Sequence, residues 1–145
     1  MPKAKVLIVN DDAYGAMEMQ QLLTLVDFDV VGVAASVNDA LCLAENTHPD
    51  LAIFDVRLAG RRDGIEGAAI LRDSLGLPVV FVTAHGEPAA RRRAATVEPV
   101  AYLEKPVQAR HLIKAVEQAA AMSRTNSEAE EKAIWDWRPP ILIRA

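Results

Sequence analysis

The sequence predicts an α/β fold built on a doubly wound, all-parallel sheet, and three observations carry that expectation. Short apolar runs rich in β-branched residues alternate along the chain with segments whose apolar residues recur at helical spacing. Most of the runs end on polar or charged side chains, which gathers those groups at one edge of the sheet. Cap and turn residues fall between the two kinds of segment.

The first strand is Val6 to Val9, followed by Asn10-Asp11-Asp12. Met17, Leu22, Leu23 and Val26 then give the apolar face of a first helix. Val30 to Ala34 is the second strand, and Ser36-Val37-Asn38-Asp39 reads as a helix start with an acid in its first turn. His48-Pro49-Asp50 closes that helix before the third strand, Leu51 to Phe54. Ile65, Ala68, Ala69 and Leu71 line the third helix, which Gly76-Leu77-Pro78 stops ahead of a fourth strand, Val79 to Val82. Gly86-Glu87-Pro88 opens a short helix that Glu98-Pro99 ends. The fifth strand is Val100 to Leu103, and Leu112, Ile113, Val116 and Ala120 mark the last amphipathic helix. Five strands and five helices without a repeat fit a flavodoxin-like order, 2-1-3-4-5.

The chain has 145 residues, a length suited to one hydrophobic core. Residues 1–121 are expected to form that domain and 122–145 a C-terminal extension. With 51% apolar and 25% charged residues the composition is that of a soluble globular protein. The formal net charge of -4 offers no general attraction to nucleic acid or to an anionic membrane, and neither partner is expected. A single cysteine, Cys42, rules out an intrachain disulfide and suits a reducing cytoplasm; its apolar neighbours predict a small core residue.

Asp55 follows the third strand as Asp11 and Asp12 follow the first, Thr83 the fourth and Lys105 the fifth. Carboxylates, a hydroxyl and an ammonium brought to one edge pack poorly but suit a divalent cation beside a phosphoryl group. The stretches Val-Leu-Ile-Val-Asn-Asp-Asp, Ile-Phe-Asp-Val-Arg-Leu, Phe-Val-Thr-Ala and Tyr-Leu-Glu-Lys-Pro resemble, in order and spacing, the signature of the receiver domain of two-component response regulators. The similarity covers about residues 5 to 121.

The resemblance implies a phosphoacceptor signalling domain rather than an enzyme with a separate substrate, with a sensor histidine kinase as donor. Asp55 would take the phosphoryl group. Mg2+ would be held by Asp11, Asp55 and the main-chain carbonyl of Arg57, with Asp12 reaching it through water or serving instead as a helix N-cap. Lys105 would offset the charge on the transferring oxygens, and the bond to Pro106 is commonly cis in this family. Thr83 and Tyr102 would form the switch that reshapes the face of the fourth helix, fifth strand and fifth helix. Tyr102 has a plainer reading as a half-buried aromatic.

Arg57 and His85 sit where the family varies and where side chains tune access of water to the acyl phosphate. Asn10 departs from the family pattern, which has an acid there; the expectation is either lower metal affinity or Asp12 supplying the missing charge through water. The loop Ala59 to Gly64 is longer than usual and lacks Met-Pro. Arg91-Arg92-Arg93 reads either as a solvated helix face or as a patch for acidic groups of a partner or twin subunit. Ala13, Tyr14, Met17 and Gln21 of the first helix are the expected kinase contacts.

A phosphatase of the same nucleophile class would want an acid at position 57, and a flavin carrier would want a Ser/Thr/Gly-rich loop at 10–12. A phosphorelay intermediate, or an interaction module with a degenerate site, remains the alternative. The length suggests a stand-alone receiver acting through a downstream protein partner. Trp135, Trp137, Ile141 and Ile143 lie outside the five units, with Pro139-Pro140 between them. They predict a homodimerisation arm, against the alternative of a tail that folds back on its own domain or is disordered.

Overall fold

The computed structural model describes residues 3–84 and 86–136, and of 124–136 only the backbone. The five strands are β1 (Lys5–Val9), β2 (Asp29–Ala34), β3 (Leu51–Phe54), β4 (Val79–Thr83) and β5 (Ala101–Glu104). They pair in parallel in the order β2-β1-β3-β4-β5, as the sequence predicts. The helices are α1 (Ala13–Leu25), α2 (Val37–Thr47), α3 (Gly64–Leu75), α4 (Pro88–Ala95) and α5 (Ala109–Asp136). Among the described residues no helix is long and apolar enough to cross a membrane.

Strand alternation divides the core. Val6, Ile8, Ile53 and Val82 pack with Ala16, Met19 and Leu23 of α1 and with Leu112, Val116 and Ala120 of α5. Leu7, Val9, Phe54 and Phe81 face the other way, against Ala40 and Ala44 of α2, Ile65, Ala68 and Leu71 of α3, and Ala94 of α4. Strands buried on both faces explain why their sequences read as unbroken apolar runs.

Ser36, His48 and Gly76 bound their helices where the sequence signals, and Asp63 is a further cap. Ser36 accepts the Asp39 N–H at 3.2 Å and Asp63 accepts the Glu66 N–H at 3.0 Å. His48 and Gly76 end α2 and α3 in the left-handed region. Two expectations are corrected. Met17 is 48% exposed while Met19 and Ala16 are buried, because the inward stripe of α1 runs 16-19-23. Cys42 is exposed: α2 turns Ala40 and Ala44 inward, and position 42 falls on the opposite side.

The loop after β3 is fixed by a close approach that sequence reasoning did not single out. A Cβ on Gly64 would fall 1.7 Å from the Asp55 carbonyl oxygen, and the Gly64 N–H donates to the Val56 carbonyl at 2.6 Å. Only a residue without a side chain lets α3 begin directly above the end of β3. Gly64→Ala should therefore lower unfolding free energy by about 3 kcal/mol or more, read as a reduced midpoint in urea denaturation.

Candidate phosphoacceptor site

The site residues are held by the last rungs of the sheet. Asn10 N–H donates to Ala34 at 2.8 Å, Asp55 N–H to Val9 at 2.9 Å and Lys105 N–H to Thr83 at 2.9 Å. Each side chain at the edge thus stands on a backbone that is still hydrogen-bonded to the neighbouring strand. Continuing the alternation from Ile8, Ile53 and Leu103 puts Asn10, Asp55 and Lys105 towards α1 and α5. Asn10 and Lys105 line one groove there with Asp12, Tyr14, Gly15 and Pro106. The Lys105–Pro106 peptide bond is cis, as the resemblance implies.

Asp55 is 8% exposed, and its two oxygens differ. Oδ2 lies 3.5 Å from Lys105 Nζ, whereas Oδ1 is buried with no hydrogen-bond partner. A carboxylate oxygen in that position is costly unless the site exists to engage something else. Asp11 is exposed at the same edge. Asp12 caps α1, Oδ1 accepting the Tyr14 N–H at 3.2 Å, so one of its oxygens is occupied.

Among the described residues no three His, Cys, Asp or Glu form a group that could hold a metal. The unpartnered Asp55 Oδ1 is the observation that suits a hard, oxygen-seeking cation such as Mg2+.

Thr83 is fully buried and continues the opposite face, with Phe81 and Tyr102. The Tyr102 ring is half-buried, 5.9 Å from Phe81 at an interplanar angle of 54°. The Arg91 guanidinium lies 5.5 Å from the ring centroid and 3.8 Å from Glu104. Burial, followed by the Glu104 carboxylate, pushes the Tyr102 phenol above its ordinary value. Arg93 bonds Asp63 at 2.8 Å, and that hydrogen bond and charge raise the guanidinium further. At least two residues of the arginine run are thus partnered within the chain. Arg57 reaches Glu87 at 3.5 Å across the mouth. Sequence reasoning missed the acids Asp63, Glu87 and Glu104 as counter-ions, since nothing local marks a pairing between distant elements. His85, Trp137, Ile141 and Ile143 lie outside the described residues, as does the side chain of Trp135.

A model of the response regulator receiver domain matches residues 6–117. The chain belongs to that family. It is 36% identical over 120 residues to the transcriptional regulatory protein PdtaR of Mycobacterium tuberculosis, covering 83% of this chain and 58% of PdtaR. It is 34% identical over 132 residues to the nitrate/nitrite response regulator protein NarL of Escherichia coli, covering 87% and 59%. The receiver thus spans less than two thirds of either relative. Among solved structures it resembles the signal receiver domain of a modulated diguanylate cyclase from Desulfovibrio desulfuricans, with TM-score 0.80, 34% identity and coverage of 85% of this chain and 98% of that one. A CheY-like receiver from Methanospirillum hungatei, at 24% identity and TM-score 0.76, shares the fold, covering 84% of this chain and 97% of its own.

The orphaned oxygen has a consequence for stability. Asp55→Asn replaces a buried charge whose one ion pair is 3.5 Å long. In metal-free buffer the variant should be more stable than the wild type by about 1 kcal/mol, measured by thermal melting.

Proposed function

We propose that this receiver accepts a phosphoryl group from the histidine of a sensor kinase onto Asp55 and signals through the α4, β5 and α5 face. The observation that carries the proposal is the buried Asp55 carboxylate, with one oxygen unpartnered and the other beside the Lys105 amine. In the transfer, an Asp55 oxygen forms a bond to phosphorus as the P–N bond of the donor breaks, and the imidazole keeps the electron pair and takes up a proton. Lys105 supplies a positive charge next to the acceptor while the transferring oxygens gain charge. Asp11, Asp55 and the Arg57 carbonyl would hold Mg2+, with Asp12 acting through water; the ion would neutralise the phosphoryl oxygens.

Once Asp55 carries about -1.5 to -2 charge, the Thr83 hydroxyl and the Ala84 N–H, at the end of the neighbouring strand, would be the donors drawn towards it. Thr83 stands on the face it shares with Phe81 and Tyr102, so its movement changes what the Tyr102 ring packs against. The kinase would approach along α1, where Tyr14 is 66% and Met17 48% exposed beside the groove to Lys105. Ala13 and Gln21 are exposed on the same helix.

We further propose that the extension 122–145 is a homodimerisation arm. The α5 backbone is helical to Asp136, well past Ala120, the last buried residue among the described side chains of the helix. The sequence of that extension carries Trp135, Trp137, Ile141 and Ile143, apolar side chains that a partner subunit would cover.

Acetyl phosphate with Mg2+ should add one labile phosphoryl group to the wild type and none to Asp55→Asn, seen by intact mass before and after mild base. Labelling retained in the variant would move the acceptor elsewhere. In sedimentation the full chain should run as a dimer and a chain ending near Ser123 as a monomer. Two monomers would dispose of the arm.

A further inference from the structure

Asn10 is 3% exposed at the edge that carries Asp55 and Lys105, and its orientation is fixed by the backbone. Oδ1 accepts the Asp12 N–H at 2.8 Å. Rotating the amide would set two donors against each other, so the atom left for the surroundings is Nδ2. That nitrogen lies above the first turn of α1, where a Cβ on Gly15 would sit 3.7 Å from it and 2.9 Å from Asp12 Oδ2. Asn10 and Lys105 line the same groove.

A carboxylate at position 10 could accept the Asp12 N–H with one oxygen and present the other to a water around a cation. The amide presents a donor instead. A donor has no attraction for a cation or for the hydrogens of its waters, and it favours an anionic oxygen. It also removes one negative charge from a site that must admit a phosphoryl dianion.

On the phosphoacceptor reading above, we propose that Asn10 is a phosphoryl-oxygen donor rather than part of the cation's hydration shell. The receiver consequently binds Mg2+ weakly and holds the acyl phosphate partly through the Asn10 amide. The rival assignment is structural, with Nδ2 serving only the neighbouring Asp12 carboxylate.

Calorimetric titration with Mg2+ and phosphoryl labelling by acetyl phosphate, both on the full chain, separate the two. Asn10→Asp should bind Mg2+ at least tenfold more tightly than the wild type, and Mg2+ should raise its melting temperature by more. Asn10→Ala should keep the wild-type Mg2+ affinity within about twofold, since it restores no charge. At saturating Mg2+ its acyl phosphate should decay at least fivefold faster. Asn10→Ser, which can still accept the Asp12 N–H, replaces it if the alanine variant unfolds. Equal Mg2+ affinity in Asn10→Asp, or wild-type decay in the Ala and Ser variants, overturns the proposal. If labelling is nevertheless lost in Asp55→Asn, the phosphoacceptor reading survives and only the role of Asn10 falls. Absence of labelling in every protein, the wild type included, overturns both.

Discussion

The parallel ladder does not stop at the strand ends, and the rest of the site depends on that. Asn10, Asp55 and Lys105 each donate a main-chain N–H to the adjacent strand, so the groups with the least favourable electrostatics stand on the most firmly held backbone. A buried carboxylate oxygen without a partner would relax towards water if its backbone were free. Here it has no such freedom. Gly64 closes the remaining route by seating the start of α3 against the Asp55 carbonyl.

The same pleat sorts the edge into two faces. Asp55 and Lys105 follow the parity of Ile53 and Leu103, beneath α1 and α5. Thr83 follows Phe81 and shares its face with Tyr102, beneath α4. Asp55 and Thr83 are both buried, 8% and 0% exposed, so the proposed coupling between them would be little screened by solvent.

The fold was legible because short, β-branched apolar runs bounded by turn and cap residues alternate with segments of helical spacing. Ser36, His48 and Gly76 marked their helix ends correctly. Legibility failed where side chains meet across the sequence. Met17 and Cys42 were placed inside by local composition, yet rotation about the α1 and α2 axes decides which apolar residues face the sheet. Asp55, Asp11, Thr83 and Lys105 could be picked out because strand ends mark the edge. The orientation of the Asn10 amide could not, since it follows from one hydrogen bond to Asp12. Gly64 did carry a signal. A glycine in a first helical turn, directly after a capping Asp63, lowers helix propensity and calls for a packing reason.

The anchoring of α4 sets it apart from its neighbours. Five residues of α3 are buried, but among the residues of α4 only Ala94 is, and no side chain caps its start at Glu87. Beside Ala94 and the partly buried Ala90, it is attached through Arg91 to Glu104 and Tyr102 and through Arg93 to Asp63. The side chains of Arg91 and Arg93 are 62% and 51% exposed, where screening limits such pairs to about 0–1 kcal/mol each. An element held by a few weak, directional contacts can be displaced by a free-energy change that would leave a well-buried helix in place. Two of those contacts lead to the surroundings of the site. Asp63 caps the helix whose first residue packs on Asp55, and Glu104 immediately precedes Lys105. Sparse apolar burial and attachment to the site's own scaffold are combined in α4, and that combination supports the proposed α4, β5 and α5 switch face.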